Sequence, residues 1–179
     1  SAASDVYKRQ HIAERLHTRV DKIDTDRNVA KLEDGEEIEY GKCLLATGAS
    51  PFIPPITNID SKGVFAIRTV DDLWAFKDYV ADKEKVLVIG GGILGLEAAY
   101  SAMLLGKKVQ VIESFDYLLS RQLDRELSAL FEKTLNKMGI ETMTGKMTSE
   151  VITKDGAVAG VRLSDDTEIK ADAILVLSL

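Results

Sequence analysis

The sequence predicts an α/β fold, and three observations carry it. Lys85–Ile89 and Lys107–Glu113 are short, largely apolar runs of strand length. Between them Ile93–Leu105 reads as a helix stopped at Gly106. A tight glycine cluster, Gly90-Gly91-Gly92-Ile93-Leu94-Gly95, joins the first strand to that helix. Strand, helix and strand in this order form a crossover unit, the connection that parallel strands require.

Composition bounds the rest. The chain has 179 residues, 45% of them hydrophobic and 29% charged, with a formal net charge of −6. That length holds one large or two small domains with a real core. An acidic balance without a basic stripe speaks against nucleic acid as a partner. The longest apolar runs, Val86–Ile89 and Ala173–Leu177, are far too short to span a membrane. The one cysteine, Cys43, excludes an internal disulfide and a Cys-x-x-Cys metal site, and fits a cytoplasmic protein. It reads as a small buried apolar residue.

Both termini carry an unusual signal. Asp5-Val6-Tyr7-Lys8-Arg9-Gln10 is the translation of GAT GTG TAT AAG AGA CAG, a transposon end used in sequencing libraries. Residues 1–10 are therefore expected to be an adapter scar and are set aside from fold reasoning. Leu177-Ser178-Leu179 matches the start of the reverse complement, so residues 177–179 are expected to be scar as well, and the chain an internal fragment of a longer protein.

Taken in order, Thr18–Asp24, Asn28–Glu33 and Glu37–Tyr40 are strand-like runs separated by turn residues at 26–28 and 34–35, a small antiparallel meander. Lys42–Ala46 has the length and lack of alternation of a buried strand, ended by Thr47-Gly48-Ala49-Ser50-Pro51. Residues 48–63 hold all three prolines, which marks a linker. Thr69-Val70-Asp71-Asp72 has capping-box spacing, and Leu73, Phe76 and Val80 follow at helical intervals, so 70–82 reads as an amphipathic helix with Trp74 in the core. Residues 123–138 form a second such helix, with Leu127, Leu130, Phe131, Leu135 and Met138 on one face. Residues 140–176 return to short strands with turns at 154–156 and 164–166.

A lone Gly-x-Gly-x-x-Gly is weak evidence, since a glycine-rich turn needs no ligand. Here it follows the strand Val86–Ile89, opens a helix and lies in a unit that ends in an acid, Glu113, as a dinucleotide-binding Rossmann unit requires. Gly90 allows the sharp turn, Gly92 lets a pyrophosphate approach the backbone, and Gly95 permits close helix–strand packing. The helix start offers N–H groups and a positive dipole end to the diphosphate, across Gly91, Ile93 and Leu94. A carboxylate at Glu113 accepts bonds from both ribose hydroxyls of an adenosine and repels a 2′-phosphate, favouring NAD over NADP. The competing readings are an ordinary solvated acid at Glu113 and Asp116 as the true partner.

Lys42-Cys43-Leu44-Leu45-Ala46-Thr47-Gly48-Ala49-Ser50-Pro51 resembles the second flavin-contact segment of two-dinucleotide-domain flavoprotein reductases. The nicotinamide loop follows in the order that family has, and Gly90–Ala99 matches it, including the glutamate after the third glycine. The chain is thus similar to the pyridine-nucleotide disulfide oxidoreductase family over about residues 18–176. Leu118-Leu119-Ser120-Arg121-Gln122-Leu123-Asp124 resembles the corresponding stretch of NADH–rubredoxin reductases and of nitrite reductase large subunits.

The resemblance implies a three-layer Rossmann-like FAD/NAD-binding fold. Its domains would be the C-terminal part of an FAD domain at 11–60, a linker and helix at 61–84, and a nearly complete NAD domain at 85–176. It implies hydride transfer from NADH to FAD and onward electron transfer to a protein acceptor, rubredoxin or a nitrite-reducing centre. Glu97 would lie beside the nicotinamide; otherwise it is a first-turn acid stabilised by the helix dipole. Ala46, Thr47 and Gly48 would contact the flavin nucleotide, and Val20 its adenine unless it is simply a core valine. His11 and His17 receive no role. The chain lacks the family's first flavin fingerprint and its interface domain, and Phe52 replaces an arginine common in ferredoxin-reductase relatives. A disulfide or peroxide reductase with its redox cysteine upstream, and a non-catalytic nucleotide-binding protein, are the alternatives.

Overall fold

The computed structural model describes residues 12–48 and 54–177. The scar expected at 1–10 and residues 178–179 of the one expected at 177–179, together with Phe52 and His11, lie outside the described residues. Leu177, by contrast, is described, packs against the core and donates its N–H to the Ile89 carbonyl at 2.9 Å. Two compact units divide the chain after Gly48.

The first unit contains β1 (Val20–Asp24), β2 (Val29–Leu32) and β3 (Glu37–Glu39), paired antiparallel in that order. This is the expected meander, and Val29 and Leu32 are its buried residues. The buried strand expected at 42–46 does not form. Leu44 is 90% and Leu45 68% exposed, and Cys43 is exposed too. A central strand needs neighbours on both edges, and the described residues provide none for this run.

The second unit has three layers. Its centre is an all-parallel sheet ordered β4-β11-β5-β6-β7, with β4 Val64–Phe65, β5 Lys85–Ile89, β6 Lys108–Ile112, β7 Ile140–Met143 and β11 Ala173–Val176. Helices α1 (Val70–Tyr79), α2 (Ile93–Leu104) and α3 (Arg125–Met138) contribute to one face. An antiparallel sheet of β8 (Thr148–Lys154), β9 (Ala157–Leu163) and β10 (Glu168–Lys170) covers the other. Because both faces are covered, β11 and all of β5 after Lys85 are apolar, and alternate residues feed different cores. Val86, Val88, Ala173 and Leu175 pack on the helix side; Leu87, Ile89, Ile174 and Val176 pack on the antiparallel sheet.

Local chemistry sets the helix ends. Thr69 Oγ1 accepts from the Asp72 N–H while the Asp72 carboxylate accepts from the Thr69 and Arg68 N–H groups, which completes the capping box. Asp124 caps α3, and Gly139, at φ 94°, ends it in the left-handed conformation that suits glycine.

Three expectations need correction. Trp74 is 53% exposed, because Phe76 and Val80 define the inner stripe of α1 and Trp74, two residues before Phe76, falls on the far side. Its ring instead lies under Lys77 Nζ, 5.0 Å from the centroid. In α3 the buried positions are Ser128 and Leu135, so Leu127, Leu130 and Met138 stand at the exposed edges of the stripe. Residues 61–84 are no mere linker and helix: β4 extends the parallel sheet, and Ile56 already belongs to the core beneath the antiparallel layer.

Candidate functional site

The site forms where β5 ends. The chain runs from β5 through α2 to β6 and β7 on one side, while β11 pairs on the other, so the C-terminal end of β5 is a point where strand order reverses. Open α/β sheets bind ligands in such crevices. A cleft of about 680 Å³ opens there, within the range of small-molecule sites. Gly90, Gly91, Gly92, Ile93 and Leu94 form one wall, and Glu113 stands at the end of β6.

Each glycine of the pattern meets a different constraint. Gly90 has φ 116°, a region costly for any residue with a Cβ. At Gly95 a Cβ would lie 2.0 Å from the Gly90 carbonyl oxygen, so the turn itself forbids a side chain. Gly92 is different. Its φ of −80° suits any residue, and a Cβ there would meet no protein atom within 4 Å. The space left open is the cleft. As N-cap, Gly92 brings no side chain to the first-turn N–H groups, and no acid occupies the first turn of α2, so these donors are left for an anion.

Glu113, only 9% exposed, turns inward. Its Oε2 accepts from the Gly91 N–H at 2.6 Å, and its Oε1 from the Phe115 N–H at 2.8 Å and the Ser114 hydroxyl at 3.1 Å. Asp116 is exposed and bonds to Arg125 at 3.1 Å, and it does not line the main cleft. These residues suit a dinucleotide: a side-chain-free approach at Gly92, unclaimed helix donors, and an acid one strand away.

Glu97 is exposed, lies beyond the first turn of α2 and is not among the cleft residues, which removes the first-turn reading. In the first unit Ala46 and Thr47 are exposed, Gly48 has φ 72°, and Val20 is 48% exposed rather than a core valine. These flavin-segment residues offer small side chains and bare backbone.

Sequence reasoning did not foresee Pro54, Pro55 and Ile56, the loop residues Leu119–Gln122, or Lys146–Thr148 as cleft walls. The Thr148 hydroxyl is buried without a hydrogen-bond partner among the described residues. The resemblance at Leu118–Asp124 had marked part of this group without giving it a place in a cleft, and the unusual length of the β6–α3 connection, 113–124, is a second signal for it.

The fold and the cleft define a dinucleotide-binding α/β protein. The chain belongs to the pyridine nucleotide-disulphide oxidoreductase family, whose model matches residues 3–177. Members of this family of oxidoreductases bind FAD and NAD(P)H. The match begins inside the stretch expected to be adapter-derived.

The chain is 39% identical over 177 residues to the nitrite reductase (NAD(P)H) of Bacillus subtilis (strain 168), covering 96% of this chain and 21% of the relative. It is 34% identical over 174 residues to the NADH-dependent phenylglyoxylate dehydrogenase subunit epsilon of Aromatoleum evansii, covering 96% and 41%. Among solved structures, a ferredoxin reductase from Rhodopseudomonas palustris superposes with a TM-score of 0.88 at 31% identity, covering 96% of this chain and 42% of that one. The chain thus spans less than half the length of these relatives.

Proposed function

We propose that the cleft at Gly90–Gly95 binds NADH, and that the whole protein is an NADH-dependent flavin oxidoreductase that passes electrons to a protein acceptor. The observation that carries this reading is the open space at Gly92, which a ligand without a competing Cβ can enter against the start of α2. In it, Ile93 and Leu94 supply backbone donors to the diphosphate, and Glu113 accepts from the adenosine ribose. Glu97 is assigned to the nicotinamide end, where its carboxylate orients the ring amide. Val20, Ala46, Thr47 and Gly48 are assigned to the flavin nucleotide, in a site completed by other parts of the protein. Bound FAD supplies the chemistry of accepting a hydride and releasing electrons singly or in pairs.

For the acceptor, rubredoxin or a nitrite-reducing centre is favoured by the similarity of Leu118–Asp124 to those reductases and by the relationship to a nitrite reductase. The test is to recover the full gene, purify the flavin-loaded protein and mix it with NADH without oxygen. Rapid bleaching of the flavin absorbance is expected, followed by recovery on adding oxidised rubredoxin or, in a protein carrying a nitrite-reducing centre, nitrite. A bound flavin that NADH leaves unbleached would sink the reductase reading.

A further inference from the structure

Gly91 occupies a variable position of the Gly-x-Gly-x-x-Gly pattern, which gives no reason for glycine there. In the structure its peptide is held from both sides. The Gly91 N–H donates to Glu113 Oε2 at 2.6 Å, in a buried bond, and its carbonyl accepts from the Leu119 N–H at 3.1 Å. A Cβ on Gly91 would lie 2.6 Å from Leu118 Cδ2 and 2.9 Å from Glu113 Cβ. Leu119 adopts φ 53°, unusual for leucine, and the preceding carbonyl, that of Leu118, accepts from the buried Ser128 hydroxyl of α3 at 2.9 Å. The diphosphate loop is therefore tied to the β6 end and, through it, to α3.

A carboxylate offers about four acceptor sites. Glu113 has three of them filled by the Gly91 and Phe115 N–H groups and the Ser114 hydroxyl. About one remains, too few to serve both ribose hydroxyls.

We infer that Glu113 is a positioning residue for the diphosphate loop: it grips the Gly91 peptide and holds the shape that opens Gly92, Ile93 and Leu94 onto the cleft. The inference rests on the nucleotide reading of that cleft and deepens it. The Gly91 N–H is then spent on the protein, and Glu113 aids diphosphate binding even in a ligand that lacks ribose hydroxyls.

The test compares ADP with 2′,3′-dideoxy-ADP by calorimetry on the 179-residue chain and its Glu113→Gln variant. In the variant the amide oxygen best replaces the doubly bonded Oε1, which turns the NH2 group against the Gly91 N–H. A charge-assisted bond is lost, and affinity for dideoxy-ADP is expected to fall about tenfold. Val161→Ala, in the antiparallel layer, serves as a control that lowers the melting temperature without changing either affinity. If Glu113→Gln weakens ADP but leaves dideoxy-ADP unchanged, Glu113 is only a ribose acceptor and the inference is overturned. If the wild-type chain binds neither nucleotide, the nucleotide reading itself fails. Should the variant not fold, amide exchange in the wild-type chain still decides: slow exchange at Gly91 relative to Gly92 is expected, and equal rates would overturn the inference.

Discussion

Gly92 and Gly95 separate two reasons for a glycine. At Gly95 the obstacle is the protein's own backbone, 2.0 Å from where a methyl would sit, so Gly95→Ala forces strand and helix apart. It is expected to lose about 1–3 kcal/mol, visible as a lower melting temperature without any ligand. At Gly92 nothing crowds a methyl, and Gly92→Ala should leave stability within about 0.5 kcal/mol. Its cost should appear only on binding, as about a ten- to hundredfold loss of NADH affinity, because the methyl then meets the diphosphate. Calorimetric melting and NADH titration of both variants check this, and equal affinity in Gly92→Ala and wild type would contradict the site. Two glycines of one motif thus have opposite signatures.

At the scale of the element, α1 carries a measurable acid sensitivity. The Thr69 N–H and hydroxyl, with the Arg68 N–H, hold the Asp72 carboxyl below its ordinary value of 3.8. A group whose folded pKa is depressed stabilises the fold above its unfolded pKa, and that contribution is lost as the pH falls through the folded value. Asp72→Asn should therefore melt below wild type at about pH 6, and the gap should close as the pH drops below about 4. Melting curves across that range test the cap, and a pH-independent gap would show that the carboxylate charge is not involved. Lys146 and Thr167 hold the Asp165 carboxyl low in the same sense, so acid also loosens the turn between β9 and β10. The capping box was legible from Thr69 and Asp72 because it depends on residues three apart. The exposure of Trp74 was not legible, since both sides of a helix can carry apolar residues and only packing shows which one the sheet receives.

For the whole molecule, the two units differ in how completely they bury themselves. The second has cores on both faces of its parallel sheet, whereas the first leaves Leu16, Leu44 and Leu45 largely exposed and ends its meander on short edges that, among the described residues, are unpaired. Such surface favours self-association. The 179-residue chain is expected to sediment as a concentration-dependent mixture, and the Leu44→Ser, Leu45→Ser double variant to shift toward monomer. A wild-type chain that remains monodisperse and monomeric at high concentration would rule this out.

The sequence by itself determined what is local: the strand–glycine–helix–strand unit, its acid at Glu113, the Thr69 capping box, the helix stop at Gly106, and the first meander with its turns. Spacing along the chain fixes these, because their hydrogen bonds and steric limits lie within a few residues or one crossover. Tertiary structure alone decided that β4 completes the sheet, that Lys42–Ala46 lacks neighbours, that Pro54–Ile56 and Lys146–Thr148 wall the cleft, and that Glu113 grips Gly91. Those outcomes join residues far apart in sequence, and a contact across 22 positions leaves no periodicity to read. It exists only once β5 and β6 lie side by side.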